Sequence, residues 1–246
     1  MSKIMLHGIH AVQTAIQNDT AHVVCIYTST ESTNPRLLKL LEEARSLAVN
    51  IIKADDKALE RLSKTHNHQH IVAEYQQAES YTEKDLLTII GNLNKPALLL
   101  VLDGVTDPHN LGACLRTAEA AAVDAVIVPK DNSVGLTPTV RKVASGAADL
   151  VPLVKVTNLS RTLQTLKKEG VWIMGTSDKA KINYFQQDFT ASMALVMGAE
   201  GAGMRRLTEK QCDVLLSLPM AGKISSLNIS VATGVCLYEA NRQRQK

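Results

Sequence analysis

Three polar, glycine-bearing stretches in the second half of the chain concentrate the residue types that chemistry needs: DGVTDPHNLG (103–112), GAEGAGM (198–204) and MAGKISSLN (220–228). The first runs into LGACLRTAEAA, a helix-like segment of small residues that favour close approach to a neighbouring element. Arg116 interrupts it. Gly112 lies one turn earlier on the same face, and long helical side chains lean toward the N-terminus. The guanidinium is therefore expected above a bare patch near Asn110. Asn110 itself is expected to cap the helix. That geometry suits a site as well as a core.

Other chemistries fit the spacing poorly. Gly198, Gly201 and Gly203 form G-x-x-G-x-G after a strand-like run, which invites a dinucleotide reading. The glycine order is the reverse of G-x-G-x-x-G, and the next strand, VLLSLP, ends without an acid to hold a ribose. A P-loop is absent, and Ser225 and Ser226 lack the G-x-S-x-G elbow. His66, His68 and His70 alternate in THNHQH and on a strand would share one face, but nothing nearby completes a zinc pattern. That segment is read as a polar loop or strand edge, and no metal is expected. His7 and His10 beside Gly8 fit either a phosphate contact or a half-buried helix start. The four cysteines, Cys25, Cys114, Cys212 and Cys236, are far apart, so neither a disulfide framework nor a zinc site is indicated, and a reducing compartment fits best.

The elements that must hold these loops are legible as patterns. From Pro96 onward, ALLLVLD, AVIVP, VWIMGT, MALVMG and VLLSLP are uninterrupted apolar runs separated by helix-like stretches. Strands of that kind alternating with helices predict an α/β domain with a mostly parallel sheet covered on both faces. Ligands then belong at the strands' carboxyl ends, where all three polar loops fall. TPTVRKVASGAADLVP adds a helix capped by Thr137 and opened by Pro138. Upstream, GIHAVQTAIQ and PRLLKLLEEARSLA read as helices, and VVCIYTS and VNIIKA as strands of a small α/β unit. The expected organisation is an N-terminal domain over 1–75, a linker over 76–95 ending in a short helix, and a second domain over 96–246.

Composition narrows the class. The net charge is +3, and residues 1–75 carry eight cations and eight anions, so the whole excess lies beyond them. NRQRQK alone supplies Arg242, Arg244 and Lys246. An acidic partner is compatible with this balance but not demanded by it. Only 3% of residues are aromatic, which counts against a mode that stacks many bases on rings. The longest apolar run, Pro96 to Leu102, is too short to span a bilayer, and the N-terminus lacks the continuous apolar core of a leader, so a cytoplasmic protein is expected.

Taken together, the three loops resemble the motifs of the SpoU (TrmH-like) RNA ribose 2′-O-methyltransferases of the SPOUT superfamily. DGVTDPHNLGACLRTAEAA is similar to that family's first motif, ALVMGAEGAGM to its second, and LSLPMAGKISSLNISVATGVCLYEA to its third. GIHAV and the unit after it further resemble the RNA-binding domain of the bacterial enzymes that methylate large-subunit ribosomal RNA. The resemblance implies a catalytic domain with a C-terminal trefoil knot, a preceding L30e-like RNA-binding domain, S-adenosyl-L-methionine as methyl donor, and a homodimer. It implies methylation of a guanosine ribose 2′-hydroxyl in 23S ribosomal RNA. Transfer RNA methylation, or RNA binding without catalysis on the same fold, remain the alternatives. By motif, Asn110, Arg116, Glu200, Ser226 and Asn228 correspond to active-site positions, and Thr176, Gly198, Leu218 and Leu227 to cofactor-binding ones. Some have simpler readings. Glu200 suits a helix first turn, and Ser225, Ser226 and Asn228 suit helix capping. Arg141, Lys142, Arg205 and Arg206 are open to RNA phosphates or to mere solvation.

Overall fold

A computed structural model describes the chain except residues 1, 30, 31, 78–80, 200, 202 and 246, and the side chains of residues 2 and 77. It divides into two compact units, Met1–Glu79 with Leu136–Lys142, and Ser80–Gly135 with Val143–Lys246.

In the first unit the order is β1 (Ser2–His7), α1 (Ile9–Asp19), β2 (Val23–Thr28), α2 (Pro35–Ser46), β3 (Ile51–Lys53), α3 (Asp56–Ser63) and β4 (Ile71–Gln77). The sheet order is β1-β4-β2-β3, antiparallel except where β2 and β3 run parallel. Val12 and Ile16 of α1 and Leu37, Leu40 and Leu41 of α2 cluster with Ile26, Ile71, Ala73 and Tyr75 of the strands. The i, i+3, i+4 spacing of those helical residues is what makes a single apolar stripe. The two helices and two strands read from the apolar pattern are all present. β1, α3 and β4 are additional; β4, IVAEYQQ, carries a buried Glu74 that breaks the apolar signal.

The second unit holds α4 (Glu83–Gly91), β5 (Leu98–Asp103), α5 (Pro108–Ala120), β6 (Ala125–Pro129), α6 (Pro138–Ala144, most of it grouped with the first unit), α7 (Ala147–Leu150), β7 (Leu153–Val156) and α8 (Leu159–Lys168). Then come β8 (Trp172–Thr176), β9 (Ile182–Asn183), β10 (Met193–Gly198), α9 (Arg206–Glu209), β11 (Val214–Ser217) and α10 (Ile229–Arg244). Among the described residues, seven strands form one sheet in the order β7-β6-β5-β10-β8-β11-β9, and every pairing is parallel. β5 and β6 are buried at every position, as helices on both faces require. Leu99, Val101, Ala194 and Val196 meet Leu159, Leu163 and Leu166 of α8 and Leu86 of α4 on one side. On the other side α10 touches β10 and packs along α5. Cys114 and Thr233 meet at 3.7 Å, and a Cβ on Gly234 would sit 3.7 Å from Thr117, so the small residues of α5 do serve close helix packing.

Helix α4 begins with a capping box, Thr82 and Asp85 bonding each other's backbone. Tyr81 bridges Val154 and Leu86 is buried, so the end of the stretch read as a linker is built into the second unit. The basic C-terminus is also used internally. Arg242 grips Glu239 through two bonds of 2.8 Å, and Arg244 donates to the carbonyls of Phe189, Pro96, Ala97 and Ala191. Among the described residues no helix is long and apolar enough to cross a membrane.

Candidate functional site

Parallel strands deliver their carboxyl ends to one side of a sheet, and a cavity of about 520 Å³ lies there. β8 contributes Thr176, with Ser177 and Asp178 beyond it, and β10 contributes Met197 and Gly198. The segment between β11 and α10 contributes Leu218, Met220 and Ser225 to Asn228. Its size is that of a pocket for a nucleoside-sized ligand.

Gly198 is dictated by geometry. A Cβ there would lie 2.3 Å from the Gly203 carbonyl carbon and from the Met204 nitrogen, so the chain folds back directly on the strand end. Ala199 and Gly203 close that return by exchanging backbone hydrogen bonds of 3.0 and 2.9 Å. Gly175 is similarly hemmed in, with Cys212 Sγ 2.7 Å from a Cβ position. Burial pushes the Cys212 thiol up to about 12, so it stays protonated at neutral pH and is no nucleophile. Thr176 Oγ1 donates to the Val196 carbonyl at 3.3 Å, which ties β8 to β10 at the cavity's edge.

Asn228 has two bonds that matter. Its Oδ1 accepts from Ser230 N at 2.9 Å, making it the N-cap of α10, and its Nδ2 donates to Asn110 Oδ1 at 3.0 Å. The capping role and the site role read from the sequence are thus compatible in one side chain. Asn110 is not the cap of α5: Asp107 holds that place, accepting from His109 N at 2.9 Å, with Pro108 opening the helix. Two residues further in, Asn110 is buried in the first turn and is free to reach across to Asn228.

Thr176, Gly198, Leu218, Ser226, Leu227 and Asn228 are therefore gathered on one cavity, and Asn110 is joined to it through Asn228. Arg116 is exposed on α5 and is not in the described lining; its Nη1 donates to Ser145 Oγ at 3.4 Å. Ser145 sits at φ 51°, a left-handed conformation no sequence signal marked. Glu200 lies outside the described residues. Sequence reasoning passed over Asp178 and Glu209, the ionisable residues of the described lining. Asp178 follows the end of β8 by two residues, a position that the strand pattern alone would have flagged. Both are acids, which suits a ligand of net positive charge.

The remaining sequence candidates resolve individually. His66 Nδ1 lies 2.8 Å from Glu60, His70 Nδ1 2.8 Å from Asp56, and His68 is buried, its Nδ1 accepting from the His70 backbone at 3.1 Å. The hydrogen bond to Glu60 raises the His66 pKa. Gly8 takes φ 87° at the start of α1, and Gln69 Oε1 accepts from Ile9 N at 2.9 Å. Arg141 is buried, with Nε 3.4 Å from Asp19, so it is not a solvated cation awaiting phosphate. Among the described residues no cluster of three or more potential metal ligands occurs.

A parallel sheet with a glycine-walled cavity at its carboxyl ends, lined by the second and third loops and joined to the first through Asn228 and Asn110, defines the class: the chain belongs to the SpoU rRNA methylase family, which matches residues 97–238. The RNA 2′-O ribose methyltransferase substrate-binding family matches residues 5–81. Among individual proteins, the chain is 53% identical over 244 residues to the 23S rRNA (guanosine-2′-O-)-methyltransferase RlmB of Vibrio cholerae, covering 99% of this chain and 98% of that one. It is 52% identical over 240 residues to RlmB of Pasteurella multocida, covering 97% and 98%. The fold is that of the SpoU methyltransferase AviRb from Streptomyces viridochromogenes, solved in complex with the cofactor AdoMet, with a TM-score of 0.64, 24% identity, and coverage of 99% of this chain and 91% of that one.

Proposed function

We propose that this chain transfers a methyl group from S-adenosylmethionine to the 2′-hydroxyl of a guanosine ribose in large-subunit ribosomal RNA. The observation that carries the reading is the cavity at the strand ends, where the Gly198 return and the third loop meet and Asn228 links the cavity to α5. Its volume, its glycine wall and its two carboxylates fit a cationic adenosyl sulfonium. When bound, that sulfonium supplies an already activated methyl group. Thr176, Gly198, Leu218 and Leu227 would hold it.

The chain's own task is then to align the ribose oxygen and ease loss of its proton. A guanidinium is effectively always protonated and makes a poor base. Arg116 instead stabilises the developing alkoxide and grips the neighbouring phosphate, a fixed charge placed where negative charge appears. The proton leaves to solvent. The bond from Arg116 Nη1 to Ser145 Oγ is long enough, at 3.4 Å, to yield to an RNA oxygen. Asn110 and Asn228 act as a pair that fixes the first turn of α5 against the start of α10. Glu200 and Ser226 complete the active-site set by motif.

RNA is the substrate that the first unit's family match supports, and ribosomal RNA is what the relatives' names support. A second copy of the chain is the proposed cover for α10, whose Val231, Val235 and Tyr238 are exposed at i, i+4 and i+7. The family's trefoil knot is the proposed setting for α10. In support, Gln243 and Arg244 are bonded to residues 187–191, and Tyr184 donates to the Cys236 carbonyl at 2.8 Å.

Arg116 gives the test. Arg116→Ala is expected to lose about 10²–10³ in methyl transfer, the cost of one oxyanion partner. Arg116→Lys keeps the charge but loses the planar fork and should fall nearly as far. Binding of S-adenosylhomocysteine by calorimetry should match wild type in both. Full activity in the lysine variant would refute this role.

A further inference from the structure

One fully buried carboxylate takes no part in lining the cavity. Asp103 is the last residue of β5 and the register partner of Gly198, and its side chain is 0% exposed. Oδ2 accepts the Arg205 backbone N–H at 2.8 Å, and Oδ1 lies 3.4 Å from Arg205 Nε. Burying a charge at that depth is costly unless a specific partner offsets it, so the position calls for a reason beyond packing. Along β5 the residues two and four before it, Val101 and Leu99, are core, and a leucine at 103 would continue that row.

The surroundings are shaped to receive Arg205. Gly104 takes φ 98°, and a Cβ there would lie 3.4 Å from Arg205 Nη2 and 3.7 Å from the Ala199 Cβ. Arg205 is the residue on which the return from Gly198 ends, two positions after Gly203 closes its paired bonds with Ala199. The end of β5, which leads into α5 and Arg116, is thus fastened to the wall of the donor cavity across 102 residues of sequence.

We propose that Asp103, with Gly104 and Arg205, is a positioning latch for methyl-donor binding: it holds the return after Gly198 closed, so that the cavity wall exists before the donor arrives. The latch rests on the donor-binding reading given above. Asp103 acts through Arg205 and touches no reacting atom. A preformed wall spares the ligand the work of ordering it, so loss of the latch weakens binding while leaving Arg116 in place.

Calorimetric titration of the full chain with S-adenosylhomocysteine separates the possibilities. Asp103→Asn is expected to bind at least about tenfold more weakly than wild type, the loss of one charge-assisted hydrogen bond. Arg205→Met should weaken binding in the same direction, and Arg205→Lys should recover most of it. In methyl transfer, KM for the donor should rise while kcat at saturation stays within about twofold, the signature of lost uniform binding. Amide exchange at Ala199 and Gly203 should quicken in the empty protein. If Asp103→Asn does not fold, Arg205→Met carries the test, since that side chain is 45% exposed. Wild-type affinity in Asp103→Asn overturns the latch alone; in Arg205→Met, which keeps the backbone N–H that Asp103 Oδ2 holds, wild-type affinity together with unchanged amide exchange at Ala199 and Gly203 does so. A wild-type chain that binds no S-adenosylhomocysteine overturns the donor reading and the latch with it.

Discussion

The first unit and the second differ in what their polar side chains face. In the first, charged groups are directed at each other: Lys3 pairs with Glu74, Tyr27 donates to the same carboxylate at 3.3 Å, and His66 and His70 face Glu60 and Asp56. In the second, Thr176, Ser226 and Asn228 are turned toward a cavity. Strand direction explains the difference. A largely antiparallel sheet sends successive strand ends to opposite sides, so no crevice collects their loops. The seven parallel strands send every carboxyl end the same way, and loops far apart in sequence meet. Both units are stabilised by internal polar contacts, but the second also holds polar groups ready for a ligand.

Substitutions in each unit break the contrast to different degrees. The largest effect is expected at Gly198. Gly198→Ala drives a methyl group to within 2.3 Å of backbone atoms that cannot move aside cheaply, so binding of S-adenosylhomocysteine should be abolished in calorimetry. Overpacking of this sort costs about 1–3 kcal/mol, a Tm drop of several degrees in scanning calorimetry.

Asn228→Ala comes next. It removes an N-cap worth about 1 kcal/mol and leaves the buried Asn110 amide short of a bond worth about as much again, so denaturant titration should show a loss of about 2 kcal/mol. Asn228→Ser restores the cap but not the reach to Asn110 and should recover only half. If serine recovers everything, the tie between α5 and α10 contributes nothing.

Glu74→Gln is the smallest, and it acts on the first unit alone. The hydrogen bond from Lys3 holds the Glu74 pKa below its ordinary value of 4.5. A carboxylate whose folded-state pKa is depressed stabilises the fold above the unfolded value and loses that contribution as pH falls through the folded one. The stability gap between wild type and Glu74→Gln should therefore be present at pH 7, begin to shrink as pH falls through the ordinary value of 4.5, and be gone below the depressed folded-state value. Methyl-donor binding should not change.

Much of this was legible in the chain, and the gaps have physical causes. The apolar runs of β5, β6, β8 and β10 are uninterrupted because both faces are buried, so they stand out. β7 is four residues of LVKV beside a proline and β9 only two, too short for a period to register. The motif residues around the cavity were readable by type, but their partners were not. Asn110 looked like a cap, yet the helix starts earlier because Asp107-Pro108 is the stronger opening. Its actual partner, Asn228, lies 118 residues away, a distance no local pattern spans. Arg141 and Arg244 looked like surface charge, and only tertiary contacts reveal the carboxylate and the carbonyls they serve. THNHQH read as a polar loop, and the structure shows a turn before β4 held by ordinary acid partners.

The most direct test is a map of 2′-O-methyl marks in total RNA from cells with and without this protein, and from cells carrying Arg116→Lys. One guanosine in 23S ribosomal RNA should lose its ribose methyl group when the protein is absent and remain unmodified in the lysine strain. Unchanged ribosomal marks, or a mark lost from transfer RNA instead, would contradict the proposed activity.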